Sequence, residues 1–93
     1  MNEHPKPAEI GQTIQVLRQR ANMSQKELAL QSNLSQAQVS QMERGNANPS
    51  LDTLNSVARA LNVPTWILLA GLALLAVGAA SVIVNQSTKN TKP

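Results

Sequence analysis

Hydrophobic residues recur at helical spacing in two stretches of the chain. A repeat of three or four residues places side chains on one face of an α-helix and does not fit the alternation of a strand. The first stretch predicts a helix over residues 8–21, and the second predicts a helix capped by Ser50, with Asp52 in its first turn. The stripe of the first helix is Ile10, Ile14, Leu17 and Ala21. The stripe of the second is Leu51, Leu54, Val57, Ala58 and Leu61.

Two capping patterns lie between these helices and predict two short helices joined by a tight turn. Ser24 stands three residues before Glu27, and Ser35 stands three residues before Gln38. In such a capping box the serine side chain accepts a hydrogen bond from the backbone three residues on, and the longer side chain bonds back to the serine. We therefore expect one short helix after each serine.

The ends of these two helices carry residues that tolerate a left-handed backbone. Asn33 follows the predicted helix over 25–32, and Gly45 follows the predicted helix over 36–44. Hydrophobic residues mark the face that is buried: Leu28, Ala29, Leu34, Val39 and Met42. The opposite face of the second helix carries Gln36, Ala37, Ser40, Gln41 and Arg44.

That outer face consists of amides, a hydroxyl and one cation, whereas a merely solvated helix surface normally mixes glutamate and lysine. A glutamine side chain can bond the N6 and N7 atoms of adenine together in the major groove of DNA. The composition of the face therefore favours contact with base edges.

The whole stretch resembles the helix-turn-helix of the phage repressor and Cro family, the XRE-type regulators. The resemblance covers about residues 10–63 and rests on four patterns: SQ-x-x-LA from Ser24, LSQ-x-x-VS-x-M-E-x-G from Leu34, PSL-x-x-L from Pro49 and A-x-AL-x-V from Ala58. It implies an all-α fold, a small repressor-like or Cro-like helical bundle. It also implies binding of double-stranded DNA, with the helix over residues 36–44 as the recognition helix in the major groove.

The resemblance further assigns roles to individual residues. An ion pair between Arg18 and Glu43 would clamp the first helix to the recognition helix. At Gln25 the start of a helix gives an independent reason for a phosphate contact, because its unpaired N–H groups attract anions. Ala37 would touch a thymine methyl group or permit close approach. The expected base-reading residues are Gln36, Ala37, Gln38 and Gln41. The expected phosphate-binding residues are Gln25, Ser40, Arg44, Asn46 and Asn48.

A long uncharged stretch follows Pro64. Residues 66–84 contain no charge, and Ser81 is the only plainly polar side chain among them. A helix of this length spans about 28 Å, close to the thickness of the hydrocarbon core of a bilayer. Trp66 would lie at one interface. We predict a single transmembrane helix over 64–84 in place of the fifth amphipathic helix of the family. The alternative is a long dimerisation helix in a soluble protein.

The chain is thus expected to consist of a disordered lead (1–7), a DNA-binding domain (8–63), the transmembrane helix (64–84) and a short polar tail (85–93). Charges beside the span, Arg59 on one side and Lys89 and Lys92 on the other, do not decide its orientation. Because a DNA-binding domain acts in the cytoplasm, we expect a single-pass protein of the inner membrane with that domain inside. Small residues along the span would let two copies approach in lipid and form a homodimer.

Composition argues against several other classes of function. The chain has no Cys, and its single His, His4, lies in the N-terminal lead, so we expect neither thiol chemistry nor a metal site. Trp66 is the only aromatic residue, which argues against a stacking platform for single strands. The net charge of +3 is a weak argument for a polyanionic partner. We expect no enzymatic activity, no cofactor and no small-molecule substrate.

Two alternatives to a membrane-anchored transcriptional regulator stay open. The tethered domain could bind a protein partner, as in bacterial cell-shape proteins that combine a helix-turn-helix with one span, although those carry a sizeable domain beyond the membrane. The chain could also be a small membrane protein of a phage, plasmid or toxin–antitoxin system, in which DNA binding serves autoregulation.

Overall fold

The computed structural model describes residues 6–71, and within that range the chain is all-α. Its helices are α1 (Pro7–Arg20), α2 (Gln25–Ser32), α3 (Gln36–Glu43), α4 (Leu51–Leu61) and α5 (Thr65–Ala70). The bounds of α1, α2 and α3 agree with the predicted helices to within one residue at each end, and α4 begins after Ser50 as predicted. The predicted end of α3 differs only in that Arg44 is its C-cap.

The starts of α2 and α3 are fixed by their own sequences, as the capping patterns predicted. Ser24 Oγ accepts a hydrogen bond from the backbone N–H of Glu27 at 3.0 Å, and Glu27 Oε1 accepts one from the Ser24 N–H at 2.7 Å. Ser35 and Gln38 repeat the arrangement at 3.0 and 2.8 Å. Each box satisfies two backbone groups, so both helices begin at defined residues.

Asparagine ends two of the helices in the left-handed conformation. Asn33 follows α2 with φ of 59°, and Asn62 follows α4 with φ of 61°. The next residue in each case donates its N–H back into the helix, Leu34 to the Ala29 carbonyl at 2.9 Å and Val63 to the Ala58 carbonyl at 3.0 Å. The turn between α2 and α3 is therefore a regular helix stop, which directs the chain into α3 at a fixed angle.

The hydrophobic stripes of the helices meet in one core. Helix α3 packs against α1 and α2, and α4 packs against α2 and α5. The innermost side chains include Ile14, Leu28, Val39, Val57 and Leu68. Each of the five helices contributes to this core, so the position of α3 depends on all of them.

A fifth helix follows Val63, the residue at which the DNA-binding domain was predicted to end. Residues 65–70 form a short helix that packs against α4 and α1, and the side chain of Leu68 is 0% exposed. Thr65 Oγ1 donates to Asn55 Oδ1 at 2.6 Å and fixes the start of α5 on α4. The helix stops at Gly71, whose φ is 87°. A short fifth helix is thus present where only a membrane-spanning segment was expected, and Leu68 and Thr65 hold it on the domain.

Within residues 6–71, every helix is too short or too polar to cross a bilayer. The predicted transmembrane helix would include residues 72–84, which lie outside the described residues. The predicted polar tail and most of the predicted N-terminal lead, residues 1–5, lie outside them as well.

Candidate nucleic-acid interface

One face of α3 is open to solvent while its other face is anchored in the core. Val39 is fully buried and Met42 almost so, and these two residues hold the helix against α1 and α2. The four residues predicted to read bases are all exposed on the outer side: Gln36, Ala37, Gln38 and Gln41. The helix therefore presents them together on a fixed support.

The amides on this face are not equivalent. Gln38 uses Oε1 to accept the N–H of Ser35, so its carbonyl oxygen is occupied and its amide nitrogen projects as a donor. The side chains of Gln36 and Gln41 have no hydrogen-bond partner among residues 6–71. Both can therefore donate and accept at once, which is the pattern needed for adenine.

A shallow groove links the recognition helix to the loop that follows it. The loop runs from Gly45 to Pro49, and Ser50 then caps α4 by accepting the N–H of Thr53 at 3.1 Å. The N–H of Asn46 donates to the Gln41 carbonyl at 3.0 Å and fixes the start of the loop. The groove is lined by Ala37, Gln38, Gln41, Asn46, Asn48 and Thr53, among others. Predicted base-reading and phosphate-binding residues thus share one depression.

Ser40 and Arg44 form a pair one helical turn apart. Arg44 Nη2 donates to Ser40 Oγ at 2.7 Å, and the guanidinium group is exposed. This bond orients the arginine along α3 and leaves its other N–H groups for an anion. Ser40 is half-buried, and its hydroxyl is engaged by this arginine.

Gln25 lies at the first position of α2 and points toward the end of α3. Its Nε2 donates to Glu43 Oε1 at 3.0 Å. One amide hydrogen is therefore used inside the protein, while the other remains, beside the open N–H groups at the start of α2. The phosphate contact expected of Gln25 stays a prediction, and the side chain has a second partner that the sequence did not indicate.

The clamp between α1 and α3 expected from the resemblance is present in the structure. Arg18 Nε donates to Glu43 Oε2 at 2.6 Å, and Arg18 Nη2 donates to Glu43 Oε1 at 3.0 Å. Arg18 Nη1 also donates to the carbonyl of Met23 at 2.8 Å. The side chains are 11% and 3% exposed. Both carboxylate oxygens of Glu43 accept hydrogen bonds, so the negative charge is compensated although it is buried.

Two glycines lie where α1 meets the end of α3. Gly45 was predicted to end the recognition helix, whereas the close packing of Gly11 was not predicted from the sequence. A Cβ built on Gly11 would overlap the carbonyl oxygen of Met42 and lie 2.9 Å from that of Glu43. Gly45 has φ of 79°, and a Cβ there would lie 2.8 Å from Cα of Ala8. Neither Gly11 nor Gly45 therefore has room for a side chain where α1 meets the end of α3. For Gly11 the only sequence signal was its position inside the predicted first helix.

Comparison with known proteins agrees with this geometry. A model of the Helix-turn-helix family matches residues 14–65, which is more than half of the chain. The chain is 43% identical over 58 residues to an uncharacterized HTH-type transcriptional regulator, y4dL, of Sinorhizobium fredii. It is 41% identical over 54 residues to an immunity repressor protein of Bacillus phage phi105. These matches cover 62% and 58% of this chain, but only 30% and 38% of the relatives' own lengths.

A solved structure matches more of its own chain. The restriction-modification controller protein C.AhdI of Aeromonas hydrophila is 34% identical, with a TM-score of 0.66. The match covers 67% of this chain and 94% of that protein. The likeness therefore extends over nearly the whole of one small regulator.

Proposed function

The chain belongs to the Helix-turn-helix family, and on that premise we propose that it is a transcriptional regulator that binds double-stranded DNA in a sequence-specific way. The relatives named above are a transcriptional regulator, a repressor and a controller protein. The observation that carries the proposal is the outer face of α3. The side chains of Gln36 and Gln41 are exposed there without a hydrogen-bond partner among residues 6–71, and the inner face of the helix is buried in the core.

In this proposal α3 enters the major groove and its early residues reach the base edges. Gln36 and Gln41 supply paired donor and acceptor groups, Gln38 supplies a donor, and Ala37 permits close approach or touches a thymine methyl group. Sequence preference then comes from the exposed amides of one helix.

Phosphate contacts would flank the recognition helix and set its register. Arg44 is oriented by Ser40, and Asn46 and Asn48 lie in the loop beside the same groove. Gln25 would contribute with the N–H groups at the start of α2. These contacts would supply most of the affinity and make it depend on salt concentration.

We also propose that residues 66–84 anchor the protein in the inner membrane, with the helical domain in the cytoplasm. The support is the uncharged sequence itself, which is long enough for a bilayer in helical form. Two copies would bind two half-sites of an operator, as dimeric helix-turn-helix proteins do.

Selection of bound sequences from a random duplex pool tests the DNA-reading proposal. The purified full chain is expected to enrich a defined motif, and the double variant Gln36→Ala/Gln41→Ala is expected to lose that enrichment. A matched control is Gln12→Ala/Gln19→Ala, which removes two exposed glutamines from α1. Enrichment of the same motif by both double variants would overturn the assignment of α3 as the reading helix.

Membrane fractionation with an alkaline wash tests the anchor. The full chain is expected to resist the wash, whereas a chain ending at Gly71 is expected to be extracted. Ending at Gly71 rather than Val63 keeps α5 and its buried leucine, so the truncation removes no described part of the core. Extraction of the full chain would contradict the anchor and leave DNA reading untouched.

A further inference from the structure

Helix α5 lies where the domain meets the uncharged stretch. Residues 66–70 belong both to this helix and to that stretch. On the domain side Leu68 is 0% exposed and belongs to the hydrophobic core. On the other side its neighbours Trp66 and Leu69 are 54% and 37% exposed. The helix therefore presents one hydrophobic residue inward and two outward within a single turn.

Docking of α5 is held at several points. Thr65 bonds Asn55 at 2.6 Å, and the helix packs against both α4 and α1. After Ala70 the backbone turns at Gly71, with φ of 87° and ψ of −176°, so the docked helix does not continue as a helix. Docking thus fixes where any membrane-spanning helix could begin.

The length of the uncharged stretch makes this start critical. Residues 66–84, as one helix, would extend about 28 Å at 1.5 Å per residue, which matches a hydrocarbon core of about 30 Å. If α5 stays docked, only residues 72–84 remain, and these thirteen residues extend about 20 Å. A docked α5 therefore leaves the span about 10 Å short of the hydrocarbon core.

We propose that docking of α5 on the domain and insertion of residues 66–84 into a bilayer exclude each other, so that α5 exchanges between the protein core and lipid. The inference rests on the proposed membrane anchor and deepens it by naming the residues for which the domain and lipid compete. In the inserted state Leu68 contacts acyl chains, and the site it fills between α1 and α4 is vacated.

The chain offers a matched pair of variants for this competition. Leu68→Ala and Leu69→Ala remove the same side chain from the same stretch, so they reduce its affinity for lipid equally. Leu68→Ala weakens docking more than Leu69→Ala does, because Leu68 is fully buried and Leu69 is more than a third exposed. Any difference in membrane binding between the two variants therefore reports the competition.

The measurement is flotation of the full-length chains with vesicles of phosphatidylcholine and phosphatidylglycerol. We expect the vesicle partition coefficient of Leu68→Ala to exceed that of Leu69→Ala several-fold. Equal partitioning, with the wild-type chain bound, would overturn the competition and leave the anchor intact; it would mean that a short span is accommodated by bilayer thinning. Absence of binding by the wild-type chain would overturn the anchor and the competition together.

A second measurement uses the wild-type chain alone and does not depend on whether Leu68→Ala folds. Because insertion withdraws Leu68 from the core, vesicles are expected to lower the midpoint temperature of the domain's unfolding in a calorimeter. If docking of α5 opposes binding to lipid, then binding to lipid must oppose docking of α5 by the same free energy. An unchanged midpoint in the presence of bound vesicles would overturn the proposal.

Discussion

Arg18 and Glu43 lie 25 residues apart in the chain and meet side by side, with Nε to Oε2 at 2.6 Å and Nη2 to Oε1 at 3.0 Å. This two-point pair joins the last turn of α1 to the last residue of α3. Gln25, at the start of α2, donates to the same carboxylate at 3.0 Å. Three helices thus share one buried anion, and the orientation of the recognition helix depends on it.

Removal of the charge of Glu43 is therefore expected to destabilise the domain. In Glu43→Gln the guanidinium of Arg18 stays buried without a counter-charge, a change that typically costs about 3–5 kcal/mol. Urea unfolding would measure the loss of free energy. Glu27→Gln is the matched control, because that exposed residue lies in a capping box in which glutamine serves equally well, as Gln38 does. Equal effects of the two substitutions would contradict a structural role for the pair.

Gly11 is expected to reverse the usual effect of glycine-to-alanine substitution in a helix. Alanine in a helix interior normally stabilises by about 0.5–1 kcal/mol. At Gly11 the added Cβ meets the backbone carbonyls of Met42 and Glu43, which cannot yield without displacing α3. We expect lower stability in urea and weaker DNA binding, whereas Gln12→Ala, at the exposed neighbouring position, should be neutral or stabilising. A stabilised Gly11→Ala would refute the close contact.

Gln41 and Arg44 are expected to affect DNA binding in different ways. Gln41→Ala should reduce discrimination at one base position by about 1–3 kcal/mol. Arg44→Ala should weaken binding to all sequences and reduce the slope of log affinity against log salt by about one. Titrations with a panel of single-base operator variants at several salt concentrations would separate the two. If Gln41→Ala weakened binding to all operator variants equally, Gln41 would be a contact to the phosphate backbone of DNA and not to a base.

Asn33 is expected to depend on its backbone conformation rather than on its side chain. With φ of 59° it occupies the left-handed region, where most L-residues cost roughly 1–2 kcal/mol. Asn33→Ala should therefore destabilise the domain by about 1 kcal/mol, and Asn33→Gly should be nearly neutral. Thermal or urea unfolding of both variants would test this. A destabilisation of the glycine variant equal to that of the alanine variant would point to a lost side-chain contact instead.

The sequence predicted most of this fold because its strongest signals are local. The bonds that start α2 and α3 join residues three apart, such as Ser24 and Glu27, and the turn at Asn33 depends on one residue's backbone preference. Such features do not depend on the rest of the protein. The outer face of α3 followed from the same spacing, so its exposed glutamines could be named in advance.

The missed features depend on distances between helices. Nothing near Gly11 in the sequence reveals that the end of α3 passes against it, and nothing near Gln25 reveals the carboxylate of Glu43. The docking of α5 was missed for another reason. Within an uncharged stretch, Leu68 looks no different from Leu69, and only the groove between α1 and α4 distinguishes them.

The packing of α5 also has a mechanical consequence. Any load applied to the chain beyond Gly71 enters the domain through a six-residue helix held on α4 and α1, on which Thr65 bonds Asn55. A short terminal helix with one fully buried side chain is expected to open locally at a lower free-energy cost than the core formed by the other helices. Under tension α5 would thus detach from the domain first, and the packing of α2 against α3 would be disturbed last.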